Sequence, residues 1–178
     1  PYEIKRSSIS SMKSYEAMDG SKSIGSLEVR VETRDGKKVL IIEAAATEKQ
    51  YQRQGVYQRL LTEALKEVNP DELFSPTITN AESKQALIEA YDAGMRGPQL
   101  AEVFAKTPLG QLRAKLGFPD HVVVKKTDTF MPSFEVTSKR APAKVQEVKV
   151  GFKPAPTKQP VQGEIIPPIE IASFELSS

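Results

Sequence analysis

The stretch that decides the fold runs from Ile41 to Leu61 and reads IIEAAATEKQYQRQGVYQRLL. Its apolar start is typical of a buried strand, and from Gly55 to Val68 the apolar positions recur at helical spacing. A polar loop joins the two. This arrangement predicts an anion site, because the first turn of a helix has unpaired N–H groups and the positive end of the helix dipole. We expect Gly55 to allow close approach of a diphosphate and Arg53 to add positive charge.

The segments on either side of this stretch predict an α/β domain with a mixed sheet. Upstream, an alternating segment, a turn at Asp35-Gly36 and a second apolar run predict a β-hairpin. Downstream, a proline interrupts a weak strand. Helices come next, and proline and glycine residues mark where they begin and end. The predicted elements are hairpin strands at 23–33 and 38–46, strands at 72–78 and 121–126, and helices at 55–68, 80–93, 99–106 and 108–116.

Composition argues against several classes of function. An apolar fraction of 39% and a charged fraction of 27% are typical of a soluble globular protein, and no apolar run approaches the ~20 residues of a membrane span. The net charge of +2 shows no dominant basic face and argues against a nucleic-acid partner. With no cysteine and no signal-peptide pattern at its start, the sequence is expected to be cytoplasmic. His121 is the single histidine and the acidic residues are scattered, so we predict no metal.

Proline divides the chain near residue 127, since seven of its 13 prolines follow that position. The sequence therefore predicts a folded domain over 1–126 and an extended, Pro-rich tail over 127–178. The tail keeps bulky apolar residues between its prolines, and it carries a basic block followed by an acidic block. These features favour a tail that binds a protein partner or another copy of the chain, and a disordered linker is the alternative.

The central stretch resembles the GNAT N-acetyltransferase family. The pyrophosphate motif of that family reads Gln/Arg-x-x-Gly-x-Gly/Ala, and Gln52 and Gly55 match its first and fourth positions, while Tyr57 stands at the sixth. A second landmark, an asparagine that begins a helix and a later YEKLGF-like run, resembles Asn80 and LRAKLGF at 112–118. The resemblance implies a GNAT-like mixed, mostly antiparallel sheet flanked by helices.

The resemblance also implies acetyl-CoA as the cofactor. The strand that ends near Ala44-Ala45-Ala46 would splay from its neighbour, so that its backbone pairs with the pantetheine arm. Three alanines would leave the floor of such a cleft unobstructed, and a strand packed tightly against a helix is the alternative. The coenzyme-binding residues that the resemblance implies are Ala45, Ala46, Gln52, Arg53, Gln54, Gly55, Val56 and Tyr57.

Catalysis would need a base for the amine, a donor that polarises the thioester, and often an acid for the departing thiolate. Family members commonly use a glutamate on or near the splayed strand, and Glu43 resembles it; a solvent-facing glutamate is the alternative. Where the family has a tyrosine, this chain has Arg113, which cannot donate a proton. Tyr91 is the candidate substitute, and a core aromatic is the alternative.

Two functions from different classes follow. The first is an N-acetyltransferase that moves an acetyl group from acetyl-CoA to an amine on a small molecule or a protein. The second is a non-catalytic GNAT-fold component of a virion or other multi-subunit particle, tethered by its tail. Residues 7–22 have room for one short helix where the family has two that wall the acceptor site, and extra helical material at 82–107 would restore a wall or bind a partner.

Overall fold

The structure is a computed structural model that describes residues 2–127 and 129–142. Its strands are β1 (Glu3–Ile9), β2 (Met12–Asp19), β3 (Lys22–Arg34), β4 (Lys37–Thr47), β5 (Glu72–Ser75), β6 (Asp120–Lys125) and β7 (Phe134–Lys139). They form one seven-stranded sheet in the order β1-β2-β3-β4-β5-β7-β6. Neighbouring strands are antiparallel except β4 and β5, which are parallel.

The helices of the described residues are α1 (Val56–Val68), α2 (Ala81–Asp92), α3 (Pro98–Ala105) and α4 (Pro108–Lys115). A 3₁₀ turn at Lys49–Tyr51 precedes α1. The crossover helix α1 is what allows β4 and β5 to run parallel. The predicted class, a mixed and mostly antiparallel sheet flanked by helices, is therefore confirmed. No helix in residues 2–127 and 129–142 combines the length and the apolarity that crossing a membrane would take.

Local chemistry explains where the helices begin. The Oδ1 atom of Asn80 accepts a hydrogen bond from the Ser83 amide at 2.9 Å and caps α2. The Oγ1 atom of Thr107 accepts from the Gly110 amide at 3.2 Å and caps α4. Both caps satisfy amides that have no partner within their own helix. Helix α1 differs, because its N-cap is Gly55, which has no side chain to offer.

The buried side chains form two clusters. In the first, one face of α1 packs on β2, β3 and β4, with Leu60 and Leu61 completely buried against residues such as Leu27. In the second, α2 and α3 cover β6 and β7, with Phe104 and Val136 at the centre. The amphipathic spacing that predicts α1 from sequence is the spacing that fills the first cluster.

The segment 7–22 corrects one prediction, because it forms strands and not a short helix. β1 and β2 make a hairpin, and Ser10 at its turn has a φ of 58°. Tyr15 and Ala17 of β2 are buried while their neighbours are more exposed, so the apolar period is two residues, as in a strand. The serine-rich composition conceals this alternation.

The domain boundary predicted near residue 127 falls too early. Phe134, Val136 and Ser138 of β7 are buried in alternation, and β7 lies between β5 and β6 in the sheet. Residues 134–139, assigned to the tail on their proline-rich surroundings, thus belong to the fold. The predictions made for 143–178 lie outside the described residues.

Candidate functional site

The parallel strands β4 and β5 separate after three paired residues. The pairs are Val39 with Glu72, Leu40 with Leu73, and Ile41 with Phe74. β5 ends at Ser75, and Pro76 cannot donate a ladder hydrogen bond, whereas β4 continues to Thr47.

The edge of β4 over 42–47 that faces away from β3 therefore has no strand partner among the described residues. A cleft of about 1040 Å³ opens beside this edge. β4 and the first turn of α1 line one part of it, and the segment after β5 together with α4 lines the rest. The residues that line the cleft include Glu43, Ala45, Ala46, Gly55, Tyr57, Ser75 and Arg113. The predicted gap in the sheet is thus present, and this chain's own side chains do not fill it.

The loop before α1 presents unpaired amides. Gly55 has a φ of 78° and Arg53 a φ of 64°, so both adopt the left-handed conformation that curves the backbone. The backbone amides of residues 53–58 donate no hydrogen bond of normal geometry to another described residue. A Cβ atom at Gly55 would meet nothing within 4 Å. The first turn of α1 therefore has the free donors and the open space that an anion requires.

The residues predicted to bind the coenzyme are mostly brought to the cleft. Ala45 and Ala46 are exposed, so no helix packs on this part of β4. Val56 lines the cleft, but its side chain is buried in the first cluster, which leaves its amide as the contribution it can make. Gln52, Arg53, Gly55 and Tyr57 also line the cleft, and Gln54 does not.

Two glutamine side chains form hydrogen bonds to the backbone around the loop before α1. The side-chain amide of Gln52 donates to the Thr47 carbonyl at 3.1 Å, and that of Gln54 donates to the Gln50 carbonyl at 2.8 Å. These side chains are therefore engaged with the backbone. They shape the loop whose amides remain free.

The predicted catalytic residues lie in different places. Glu43 lines the cleft, where its Oε2 atom accepts a hydrogen bond from Nε of Arg30 at 2.7 Å. Tyr91 does not line the cleft. Its ring packs in the second cluster, edge-on to Phe134, with the guanidinium of Arg96 at 3.6 Å from its centroid. The structure therefore brings Glu43 to the site and places Tyr91 in the alternative role of a packed aromatic.

Two other tyrosines line the cleft. Tyr57 is half-buried, and burial raises the pKa of its hydroxyl while the positive charge of Arg113 opposes that shift. The hydroxyl of Tyr51 donates to Asp19 at 3.2 Å. The ring of Tyr57 packs partly against the first cluster, and this bulky residue forms part of the cleft wall at the sixth position of the motif.

Arg113 is the largest fully buried side chain in the described residues. Its Nη1 atom donates to Oγ of Ser138 at 3.1 Å, and its Nη2 atom donates to Oγ of Ser75. Its Nε atom has no partner. Burial lowers the pKa of the guanidinium. The guanidinium forms no ion pair with any described residue. The site thus contains a buried cation without a carboxylate.

His121 extends the same network. Its Nδ1 atom lies 2.8 Å from Oγ of Ser138. Because Ser138 already accepts from Arg113, its own hydroxyl hydrogen is free to bond to Nδ1. Burial, and then the charge of Arg113, lowers the pKa of His121 to about 4, so the ring is neutral at neutral pH. Sequence reasoning missed Ser75, Ser138 and this role of His121, because no local pattern connects three strands to one helix.

No group of three histidine, aspartate or glutamate side chains within residues 2–127 and 129–142 is arranged to hold a metal ion.

No family model matches the sequence, and a search of curated proteins found no match. Solved structures are similar in part. One is an aminoglycoside acetyltransferase from an uncultured soil metagenomic sample, with 21% identity over 48% of this chain and 58% of that chain, and a TM-score of 0.37. An aminoglycoside N-acetyltransferase in complex with CoA has 17% identity over 49% of this chain and 70% of that chain, with a TM-score of 0.38.

A third similar structure is an acetyltransferase of the GNAT family from Streptococcus pneumoniae. It has 14% identity over 71% of this chain and 66% of that chain, with a TM-score of 0.42. All three are acetyltransferases.

Proposed function

We propose that this chain binds acetyl-CoA in the cleft and transfers the acetyl group to an amine, as a GNAT-type N-acetyltransferase. One observation carries the proposal: β4 leaves β5 after Ile41, which opens an unpaired backbone edge next to free amides at the start of α1. A helix N-terminus favours a diphosphate, and an exposed strand edge favours an extended, amide-containing arm. Acetyl-CoA carries both groups in one molecule.

The parts of the coenzyme match successive parts of the cleft. The amides of 53–58 would hold the pyrophosphate, and the exposed side chain of Arg53 would add charge at that end. The pantetheine arm would pair with the free edge of β4 over 42–47, which spans roughly 20 Å at strand rise. Ala45 and Ala46 have small side chains, so they leave room for the pantetheine arm to lie against that edge.

Glu43 is the residue we assign as base, acting directly or through a water. It lies on the free part of β4, at an irregularity where the pairing register shifts opposite Glu28 and Val29. The ion pair with Arg30 holds the carboxylate in place at the cleft. When acetyl-CoA is bound, it supplies the activated acyl group. The chain's task is then to orient the thioester and to take a proton from the amine.

Calorimetry with the purified full chain tests the binding half of this proposal. We expect acetyl-CoA to bind more tightly than either of its halves, pantetheine or adenosine 3′,5′-bisphosphate. The whole coenzyme contacts the amides of 53–58 and the free edge of β4 at the same time, whereas each half contacts only one of them. No binding heat with acetyl-CoA at millimolar concentration would remove the cofactor and the activity with it. Incubation with a panel of primary amines, followed by thiol release and mass spectrometry, tests the transfer half.

A second candidate, the assembly component, is favoured by a different observation. Phe130 is fully exposed, and Met131, Val122 and Val124 are also large apolar residues that are exposed on β6 and on the segment between β6 and β7. In addition, β1 leads directly into β2, so neither of the helices that would wall an acceptor site stands between them. We propose that this surface, with the proline-rich segment that follows β7, binds a protein partner or another copy of the chain. Light scattering on the full chain tests self-association, and a monodisperse monomer would contradict a homo-oligomer.

A further inference from the structure

The guanidinium of Arg113 lies at the apex of the cleft, which we define as the point where Ile42 and Ser75 follow the last β4–β5 pair. The hydrogen bond from Nη2 to Ser75 places the positive charge there. Arg113 and Ser75 both line the cleft, at the end opposite the amides of 53–58 along the free edge of β4. A ligand anchored at those amides and extended along β4 therefore ends beside this cation.

The charge of Arg113 is uncompensated in the described structure. Its side chain has no solvent exposure, and it forms no ion pair there. A guanidinium cannot readily lose its proton to escape the cost of burial. The neighbours of the guanidinium are serine hydroxyls, the phenol of Tyr57, the ring of Phe104 and a neutral His121. A buried cation without an ion pair, on a residue that lines an open cleft, is prepared to stabilise negative charge that arrives with a ligand.

We propose that the charge of Arg113, in the wall of the cleft, stabilises the sulfur of the coenzyme as a thiolate, so that the leaving group departs without a proton donor. This inference rests on the proposed function. In the step, the amine nitrogen forms a bond to the thioester carbon, the C–S bond breaks, and its electron pair goes to the sulfur. The proton lost by the amine passes to the base and then to water. The guanidinium balances the negative charge that develops on sulfur.

Two of the three nitrogens of Arg113 already donate to serine hydroxyls. A carboxylate is held best by a two-pronged face of the guanidinium. Here Nη1 and Nη2 already donate to Ser138 and Ser75, which lie on different strands, and Nε is the nitrogen left without a partner. An arm extended along β4 brings the sulfur of the coenzyme to this cation, whereas a carboxylate reaches it only on an acidic acyl group, which the binding of succinyl-CoA tests.

The experiment compares CoA with desulfo-CoA, which lacks the sulfur, on the wild-type chain. Calorimetry in two buffers of different ionisation enthalpy measures the protons released on binding. We expect CoA to release protons near pH 7.5, because a cation within a few ångströms lowers the pKa of an acid by about 1–3 units. CoA affinity should then rise with pH by up to about tenfold per unit, while desulfo-CoA affinity stays constant.

Two variants complete the test. Arg113→Gln removes the charge, so its CoA binding should release no protons and lose its pH dependence while desulfo-CoA binding persists. Lys115→Gln removes the same charge from an exposed position on the same helix and should behave as wild type. Should Arg113→Gln fail to fold, the comparison of CoA with desulfo-CoA on the wild type still decides whether the sulfur binds as a thiolate.

The outcomes separate this inference from the proposed function. Equal binding of CoA and desulfo-CoA without proton release would overturn the role of Arg113 and leave acetyl-CoA binding intact. Failure of both ligands to bind would overturn the two together. Tighter binding of succinyl-CoA than of acetyl-CoA, lost in Arg113→Gln, would show that the cation receives a carboxylate and would overturn the thiolate assignment.

Discussion

The Nη1 atom of Arg113 lies 3.1 Å from Oγ of Ser138, and this contact connects the wall of the cleft to β7. β7 pairs with β5 on one side and β6 on the other, and Arg113 also donates to Ser75 at the end of β5. The strand that proline content assigned to the tail is therefore part of the support for the site.

A chain that ends at residue 126 should not unfold cooperatively. It lacks β7, so β5 and β6 lose their shared partner, and Phe134 and Val136 are missing from the second cluster. A chain that ends at residue 142 keeps all seven strands and should melt in a single cooperative transition. Circular dichroism during heating measures both. A cooperative transition in the shorter chain would show that β7 is dispensable.

Gly55→Ala should weaken acetyl-CoA binding by about tenfold, or ~1.4 kcal/mol, because the methyl group enters the open space beside the free amides. Gly36→Ala is the matched control. Gly36 has a φ of 77°, close to the 78° of Gly55, it also has nothing within 4 Å, and it lies in the β3–β4 turn. Each variant should lose about 1–2 kcal/mol of stability to backbone strain. Equal coenzyme affinity in the two variants would argue against an anion site at Gly55.

Glu43→Gln should lower kcat with a given amine acceptor by about 10²–10⁴-fold while leaving acetyl-CoA affinity unchanged, since the amide cannot take the proton. Glu32→Gln is the control, because Glu32 is the other carboxylate paired with Arg30 and does not line the cleft. Steady-state thiol release measures both variants. If they lose activity equally, the effect comes from Arg30 and not from a base at Glu43.

His121 should make the folded state sensitive to acid. The pKa of His121 is lowered from 6.5 to about 4 by burial and then by Arg113, so as pH falls the unfolded chain takes up the proton first. Stability is then full above about pH 6.5 and falls by up to about 1.4 kcal/mol per unit toward pH 4. Urea unfolding of wild type and His121→Asn at a series of pH values isolates this contribution. Parallel pH profiles of the two proteins would contradict it.

Local patterns in the sequence predict much of the fold. The turn at Asp35-Gly36 and the apolar period of α1 appear where they were predicted, because both depend on residues within a few positions of each other. The resemblance predicts that the strand ending near Ala44-Ala45-Ala46 separates from its neighbour, and in the structure β4 leaves β5 after Ile41. The hairpin of β1 and β2 was missed, since its one-sided burial at Tyr15 and Ala17 depends on α1 packing against it.

What the sequence by itself determined is therefore the stretch from β4 through α1: a strand, a glycine loop and an amphipathic helix with free amides at its start. Only the tertiary structure decided which side chains meet at the apex of the cleft. Ser75, Arg113, His121 and Ser138 come from four different elements, and up to 63 positions separate them along the chain. Hydrogen bonds between such residues are set by strand order and packing, which no local periodicity records.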